Sequence, residues 1–586
     1  MESFKSKNSI FYLLAAFLNA FVDLGHKITI QNIVFKSFSG SELLILTQIT
    51  NAMMLIGFVI LFVPAGEIND RRDKLKNMRI LALAAIFLTS MLTLFYALGM
   101  FWAAFFTTVL LGAQAALYSP AKFGYAKSMY GKGRLSNANA LLQTVSIVSI
   151  LLSTVFFSFA FEYLAIGQNP DELSKAMLPI SISLVVFSII EFAALKQMEL
   201  KDAAPEPSNV KKTEKYKAIL KNVEISEAFA VLAVFYAISQ SVMAAFPSFA
   251  KEGLGIGSPL AVQLAMASSI AGLIVGSLIA GKYKNDRHRL SFAFWGMGFY
   301  TFAIFWVLSG EVYLSFALLG LGSGFTIVSL NTLIQKLTPE PLLGSSISLS
   351  NLFQNILMLL FLGIGVLLGL AGVGGETILI GCAVLAFLVT VYYLFFRPHI
   401  LIEAFLGVVF SLRYSFKYTK IPDFGDGGAI LVGNHTSYVD WAFLQIAIDK
   451  KIHFLMEKEI YENRILNPFL RYFGAIPISP VSFKSSFKKA GEILRNGGIV
   501  VIFPEGELTK DGEIGEFRRG FEVLSTQNNV PVYPFYLGGL YGSRFSKKPD
   551  NTKRKRRIKL IFGEKLEHPN AASAKREVEN LSKVTI

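Results

Sequence analysis

The chain has 586 residues, 53% of them hydrophobic and 13% aromatic, a composition that excludes an ordinary water-soluble globule of this length. Of the formal net charge of +15, residues 397–586 hold +9 (29 Lys+Arg against 20 Asp+Glu), which fits attraction to anionic lipid or an acidic partner and does not call for nucleic acid. The single cysteine, Cys382, excludes an intrachain disulfide and a cysteine-built metal site, and no metal centre is expected.

Charge-poor apolar runs recur at about 9–35, 42–65, 78–98, 100–119, 137–160, 176–196, 226–250, 259–281, 288–308, 312–336, 343–370 and 374–396. Each can cross the roughly 30 Å of a bilayer's hydrocarbon. The first follows Lys5 and Lys7, but Asp23, His26 and Lys27 interrupt it and no small-residue cleavage site follows, so it reads as a retained span. A hydrophilic linker at about 197–225, containing "KDAAPEPSNVKKTEK", divides the twelve runs six and six. The segments 69–79, 122–134 and 281–289 are basic, whereas 162–173 and 309–312 carry acids and no base. The positive-inside rule then places the basic loops, both termini and everything after residue 396 in the cytoplasm.

Two six-helix halves are an arrangement of secondary transporters. "GEINDRRDK" (66–74) resembles the second-loop signature of the major facilitator superfamily, with Gly66, Asp70 and Arg71 in the gating-loop positions, and "GKYKND" (281–286) is a degraded counterpart. Within that superfamily, "FLNAFVD" (17–23), "ALYSPAKFG" (116–124), "NANALLQ" (137–143) and "SLNTLIQ" (329–335) resemble the bacterial lysophospholipid transporters. The transport candidates are Asp23, Lys27, Lys122, Asn137, Asn139, Gln143, Asn331, Gln335, Asn351, Gln354 and the adjacent Asn355. Asp23 and Lys27, four apart, either neutralise one another or face a cavity. The amides either bind a lipid headgroup or join helices by hydrogen bonds.

Residues 397–420, beginning "RPHILIEAFLGVVFSLRYSFKY", read as an amphipathic linker helix on the membrane surface. From 421 to 586 the pattern is that of a cytoplasmic α/β domain. Strand-like runs lie at 429–434, 475–479, 499–504, 530–537 and 557–563, with a helix over 481–496. At the end of the first strand, in "ILVGNHTSYVDWAFL" (430–444), stand His435 and Asp440. They can meet only if the histidine sits in the turn before a helix and the aspartate in its first turn, with Thr436 or Ser437 as N-cap. Asp440 would then fix the tautomer and leave the other imidazole nitrogen as a base able to activate an alcohol.

Together with "GAIPISP" (474–480), "VVIFPEGELT" (500–509) and "VPVYPFYLGG" (530–539), this block resembles the PlsC-type glycerolipid acyltransferases, in particular the modules that act on 2-acylglycerophosphoethanolamine. The resemblance implies His435 as general base, Asp440 as its orienter, Glu505 and Gly506 at the acceptor glycerol, and Val530–Pro534 shaping the acyl pocket. The family's arginines after the second and third blocks are replaced here by Ser479-Pro480 and by Glu507-Leu508, so a phosphate-binding cation must come from elsewhere. Lys458, Lys484, Lys488, Arg518 and Arg519 are candidates, each also readable as a solvated surface charge.

The two resemblances imply a bifunctional protein of a bacterial inner membrane. It moves a lysophospholipid, such as lysophosphatidylethanolamine, to the cytoplasmic leaflet and reacylates it. The donor would be acyl-ACP or acyl-CoA, with acyl carrier protein as a partner for the basic surface that includes "TKRKRRIK" (552–559), and no tightly bound cofactor. No nucleophilic cysteine or Gly-x-Ser-x-Gly elbow is seen, so direct transfer is expected. Some relatives carry a synthetase domain after the acyltransferase; with the sequence ending at Ile586, donor activation is expected elsewhere. The alternatives are a transporter of another substrate tethered to a lysophosphatidate acyltransferase, and a transporter carrying a degenerate acyltransferase module.

Overall fold

In a computed structural model the chain divides into two compact units, Met1–Val391 and Tyr392–Ile586. The structure describes residues 7–71, 73–130, 135–198, 212–282, 289–339, 342–396, 406, 410, 413–419, 421–425, 427–448, 450–464, 466–479, 481–550 and 556–585.

The first unit is helical. Twelve long helices coincide with the twelve apolar runs: α1 (Lys7–Ser37), α2 (Gly40–Ile60), α4 (Lys74–Leu98), α5 (Phe101–Tyr130), α6 (Leu135–Leu164), α8 (Leu178–Lys196), α10 (Val223–Glu252), α11 (Pro259–Lys282), α12 (Arg289–Leu308), α13 (Val312–Leu337), α14 (Leu343–Leu370) and α15 (Gly375–Phe396). Among the described residues eleven of them are long and apolar enough to cross a membrane, and the remaining one contributes a shorter apolar stretch, Ala293–Leu308. Short helices α3 (Phe62–Arg71), α7 (Pro170–Ala176) and α9 (Lys212–Leu220) join them.

Two segments expected as loops are helical. Gly66, Asp70 and Arg71 lie on α3. The first nine residues of the basic stretch 122–134 continue α5, because only Gly124 interrupts its helix formers before Gly131, and Lys122 is buried. The linker at 197–225 is helical over α9; its residues 199–211, like 283–288 in the second basic loop, lie outside the described residues.

Hydrogen bonds and small residues close the helical packing. Ser149 and Ser153 on α6 donate to the carbonyls of Phe17 and Phe21 on α1 (2.7 and 2.9 Å). Helices α11 and α13 touch backbone to backbone: a Cβ at Gly320 would stand 1.8 Å from the Ser269 carbonyl oxygen. Glycine is what permits that approach. The two six-helix halves are tied at one end, where Lys251 Nζ on α10 donates to the carbonyls of Phe35 and Phe38 (2.7 Å each) and the Gly40 amide donates to Glu252 (2.9 Å).

The second unit is an α/β layer structure. Its strands are β1 (Tyr414–Tyr418), β2 (Ala429–Gly433), β3 (Ile452–Glu457), β4 (Ala475–Ile478), β5 (Ile499–Ile502), β6 (Val532–Gly538) and β7 (Arg556–Phe562). Its helices are α16 (Asp440–Ala447), α17 (Lys458–Tyr461), α18 (Asn467–Tyr472), α19 (Phe483–Arg495), α20 (Gly520–Asn528) and α21 (Ala571–Ser582). The sheet order is β1-β7-β6-β2-β5-β3-β4, parallel throughout except for the β6–β7 pair. Central β2, all Ala, Ile, Leu, Val and Gly, is buried on both faces, as a parallel strand covered by helices must be.

β1 overturns part of the expected linker helix. Tyr414, Phe416 and Tyr418 alternate with polar residues, and that period of two pairs with β7 instead of winding into a helix. Leu406 and Phe410 are helical and pack on the same core, Phe410 against Phe443 with ring centroids 5.1 Å apart; the rest of 397–412 lies outside the described residues. β3 carries no strand expectation in the sequence reading either.

Candidate active site

β2 and β5 are adjacent and parallel, so the segments that leave their C-terminal ends meet at one edge of the sheet. That edge is where α/β sheets place ligands. Asn434 anchors the first segment: its side chain donates to the Leu537 carbonyl (3.0 Å) and accepts from the Leu537 amide (2.8 Å).

His435 follows. Its Nδ1 lies 2.9 Å from Asp440 Oδ2, which also accepts the amides of Thr436 (2.6 Å) and Ser437 (3.0 Å). Asp440 is wholly buried, whereas the His435 side chain keeps 22% of its surface exposed. A carboxylate so held accepts a hydrogen bond from Nδ1–H and leaves Nε2 as the basic nitrogen. The imidazole stacks on Phe503 at 4.1 Å and 15°, which fixes the plane of the ring.

The helix start differs from expectation. α16 begins at Asp440 with Val439 as N-cap. Ser437 instead accepts from the Val439 amide and donates to the Phe545 carbonyl (3.0 Å), so its hydroxyl is not available as a cap.

Glu505 sits behind the histidine. One oxygen accepts the His435 amide (2.8 Å) and the other the Gly515 amide (3.0 Å), while the His435 carbonyl accepts from Thr509 (2.9 Å). Burial pushes the Glu505 carboxyl above the usual carboxylate range, and the two amides oppose that only in part. Each of its oxygens thus accepts from a backbone donor.

Gly506 has φ +76°, and a Cβ there would stand 2.9 Å from Arg518 Cζ. The glycine therefore seats the guanidinium of an exposed arginine beside the Glu505 loop, and the Arg518 amide is bonded to the Pro504 carbonyl (2.8 Å). The other candidate cations do not converge here. Lys458 pairs with Glu462 at 3.5 Å, Lys484 and Lys488 lie on the exposed face of α19, and Arg519 is the exposed N-cap of α20. The roles of Phe503, Asn434 and the Phe545 carbonyl were not foreseen from sequence, although the first two lie inside the quoted motifs.

In the helical unit, Asp23 (α1) and Lys122 (α5) are buried and interact electrostatically, and Lys27 lies one turn further along the helix that carries Asp23. A further carboxylate, Glu191 on α8, is fully buried within reach of both charges and of Tyr118. The sequence signal for it was a lone acid inside the sixth apolar run. Of the amide candidates, Gln354 is buried and bonds Ser350 on its own helix (2.9 Å), Asn331 and Asn355 are half-buried, and Gln143, Gln335 and Asn351 are exposed. Asn137 and Asn139 lie on α6 with side chains outside the described residues. The amides that do bridge helices are others: Gln240 to Asn51 (2.9 Å) and Gln263 to Asn32 (3.4 Å) join the two halves.

A bundle of two six-helix halves followed by an α/β sheet bearing a His–Asp pair defines a transporter-like membrane protein with an attached acyl-transfer domain. The Major Facilitator Superfamily profile matches residues 12–362 and the Acyltransferase profile residues 415–538, and the chain belongs to both families. The last third is 31% identical over 171 residues to a 1-acyl-sn-glycerol-3-phosphate acyltransferase of Bacillus subtilis, covering 28% of this chain and 81% of that one. The first two-thirds are 27% identical over 301 residues to a lysophospholipid transporter of Escherichia fergusonii, covering 50% and 73%. A crystallised POT family transporter in complex with 5-aminolevulinic acid shares the bundle fold at TM-score 0.50 and 13% identity, covering 67% of this chain and 96% of that one. The chain is a multi-pass membrane protein.

Proposed function

We propose that the chain moves a lysophospholipid to the cytoplasmic leaflet of a bacterial inner membrane and reacylates it there from an acyl thioester. The observation that carries the chemistry is the Nδ1–Oδ2 contact of 2.9 Å between partly exposed His435 and buried Asp440. His435 Nε2 removes the proton from the free glycerol hydroxyl. The oxygen attacks the thioester carbonyl, the C–O bond forms, the C–S bond breaks, and the imidazolium returns its proton to the departing thiolate. Arg518 is placed to attract the phosphate of the acceptor. Asp23, Lys122 and Glu191 supply the charged interior against which the headgroup passes. Carrying both activities on one chain raises the local concentration of acceptor at the enzyme.

A phosphodiester headgroup such as that of lysophosphatidylethanolamine is favoured because the arginines expected for a phosphomonoester are missing after the second and third motifs. The likeness to the Bacillus subtilis protein favours a second reading, with lysophosphatidate as acceptor. The test is the full chain in vesicles, given labelled lysophosphatidylethanolamine, lysophosphatidylglycerol or lysophosphatidate with acyl-ACP or acyl-CoA. Diacyl product from the first and its loss in His435→Ala are expected, with lysolipid movement unchanged in that variant. Unchanged turnover in His435→Ala would defeat the assignment, and product from lysophosphatidate alone would select the second reading.

A further inference from the structure

Among the described residues, three cations and no acid line a groove of about 640 Å³ on the acyltransferase unit. Ser415 on edge strand β1 stands opposite Arg557 on β7, and Lys417 stands opposite Lys559. Like charges facing one another across a ladder destabilise the pair. The fold nevertheless keeps them and leaves space beside them. Gly538 on β6 is opposite Lys559, and a side chain there would come within 3.0 Å of the Lys559 Cε. At Gly539, with φ +95°, a Cβ would fall 2.2 Å from the Arg557 carbonyl oxygen. Lys559 directs its Nζ to the carbonyls of Ser582 and Val584 (3.0 and 3.2 Å), whereas Lys417 and Arg557 are exposed. An anion between the strands would remove the repulsion.

The groove lies close to the chemistry. Gly538 directly follows Leu537, the residue clamped on both sides by Asn434, and Asn434 precedes His435. In the sheet, β6, β7 and β1 lie on one side of β2 and β5 lies on the other. Arg518 belongs with the loop after β5. Two places that attract anions therefore belong to opposite sides of β2, the strand that leads into His435. One suits the acceptor's phosphate, which leaves the groove for the other reactant.

We infer that this groove holds the phosphate of the phosphopantetheine arm of the acyl donor, the group that coenzyme A and acyl carrier protein share. The inference rests on the acyl-transfer reading above. A groove floored by glycines, with the Lys559 ammonium held in place beside two freer cations, suits a threaded arm.

The experiment uses the full chain in zwitterionic and in anionic vesicles and three donors: acyl-CoA, acyl-ACP and acyl-pantetheine, the same arm without its phosphate. Lys417→Ala/Arg557→Ala should raise KM for both phosphate-bearing donors on the order of ten-fold. The acceptor KM and turnover of acyl-pantetheine should not change, and Lys417→Arg/Arg557→Lys should restore most of the loss. Melting should be unchanged or raised, because opposed charges have been removed. Equal loss with all three donors would mean a structural role and overturn the inference. So would an effect on acyl-ACP alone, which would mark a surface for the carrier protein, or an effect seen only in anionic vesicles, which would mark a lipid-binding patch. No transfer by the wild type from any donor would instead sink the acyl-transfer reading itself.

Discussion

The backbone amide of His435 donates to Glu505 Oε1 at 2.8 Å, so the carboxylate fixes where the histidine sits without touching its ring. Glu505 is thereby a positioning residue. Glu505→Gln brings an amide group against one of two backbone donors, and kcat should fall about 10- to 100-fold with the acceptor KM little changed. Stability should behave differently. Burial raises the folded-state pKa of Glu505, so the native state binds its proton more tightly than the unfolded chain. That stabilisation is full below the unfolded pKa and is lost as pH rises through the folded value. The melting-temperature advantage of wild type over Glu505→Gln should therefore shrink as pH rises from about 4, the unfolded carboxyl's range, through the raised folded value. A gap that widens with pH would refute this reading.

Asp440→Asn tests the orienting role. The asparagine can still accept from one amide, but it cannot both take the Nδ1 proton's hydrogen bond as a charge and hold the turn amides of Thr436 and Ser437. A loss in kcat of about 10³-fold or more is expected, by analogy with other histidine–carboxylate pairs. Measured single-turnover rates within ten-fold of wild type would show that the imidazole needs no anionic neighbour.

Arg518→Ala should raise KM about ten-fold for phosphate-bearing acceptors and leave a monoacylglycerol, which lacks phosphate, unaffected. Gly506→Ala should mimic it, since a Cβ would displace the guanidinium and strain a residue at φ +76°. Steady-state kinetics on the two acceptor types decide the matter. Equal effects on both would place Arg518 in the scaffold.

For the helical unit, Lys122→Met leaves Asp23 and Glu191 buried without the cation that interacts with both. Breaking such a buried pair costs about 3–5 kcal/mol, whereas neutralising both partners costs far less. Lys122→Met should lower the melting temperature in detergent, and Lys122→Met/Asp23→Asn should recover much of it. Additive losses would show that the two charges do not interact.

The long helices were legible because twelve apolar runs leave little freedom in assigning them, and parallel strands such as β2 because five consecutive small or branched apolar residues suit a strand buried on both faces. The pairing of His435 with Asp440 was legible as a geometric possibility, since their separation permits only a turn-then-helix arrangement. β1 was not legible: its aromatic residues satisfy both a helical stripe and a two-residue alternation, and only the distant partner β7 decides between them. The amides of spans five, ten and eleven likewise carry no mark of the direction in which they point. Gln335 and Asn351 turned out exposed, while Asn51 and Gln240, never singled out, join the two halves. Nor could sequence show that Gly506 makes room for Arg518, twelve positions on, because the contact depends on how the loop after β5 returns.

β1 is the first strand of its sheet to be synthesised, and its only neighbour, β7, is the last. A ribosome must therefore release almost the whole enzymatic portion before that edge can close, by which time the apolar helices have already emerged. Such sequence-distant closure folds slowly. A chain stopped ahead of Arg556 would leave β6 bare on one side, an adhesive border for other unfinished copies.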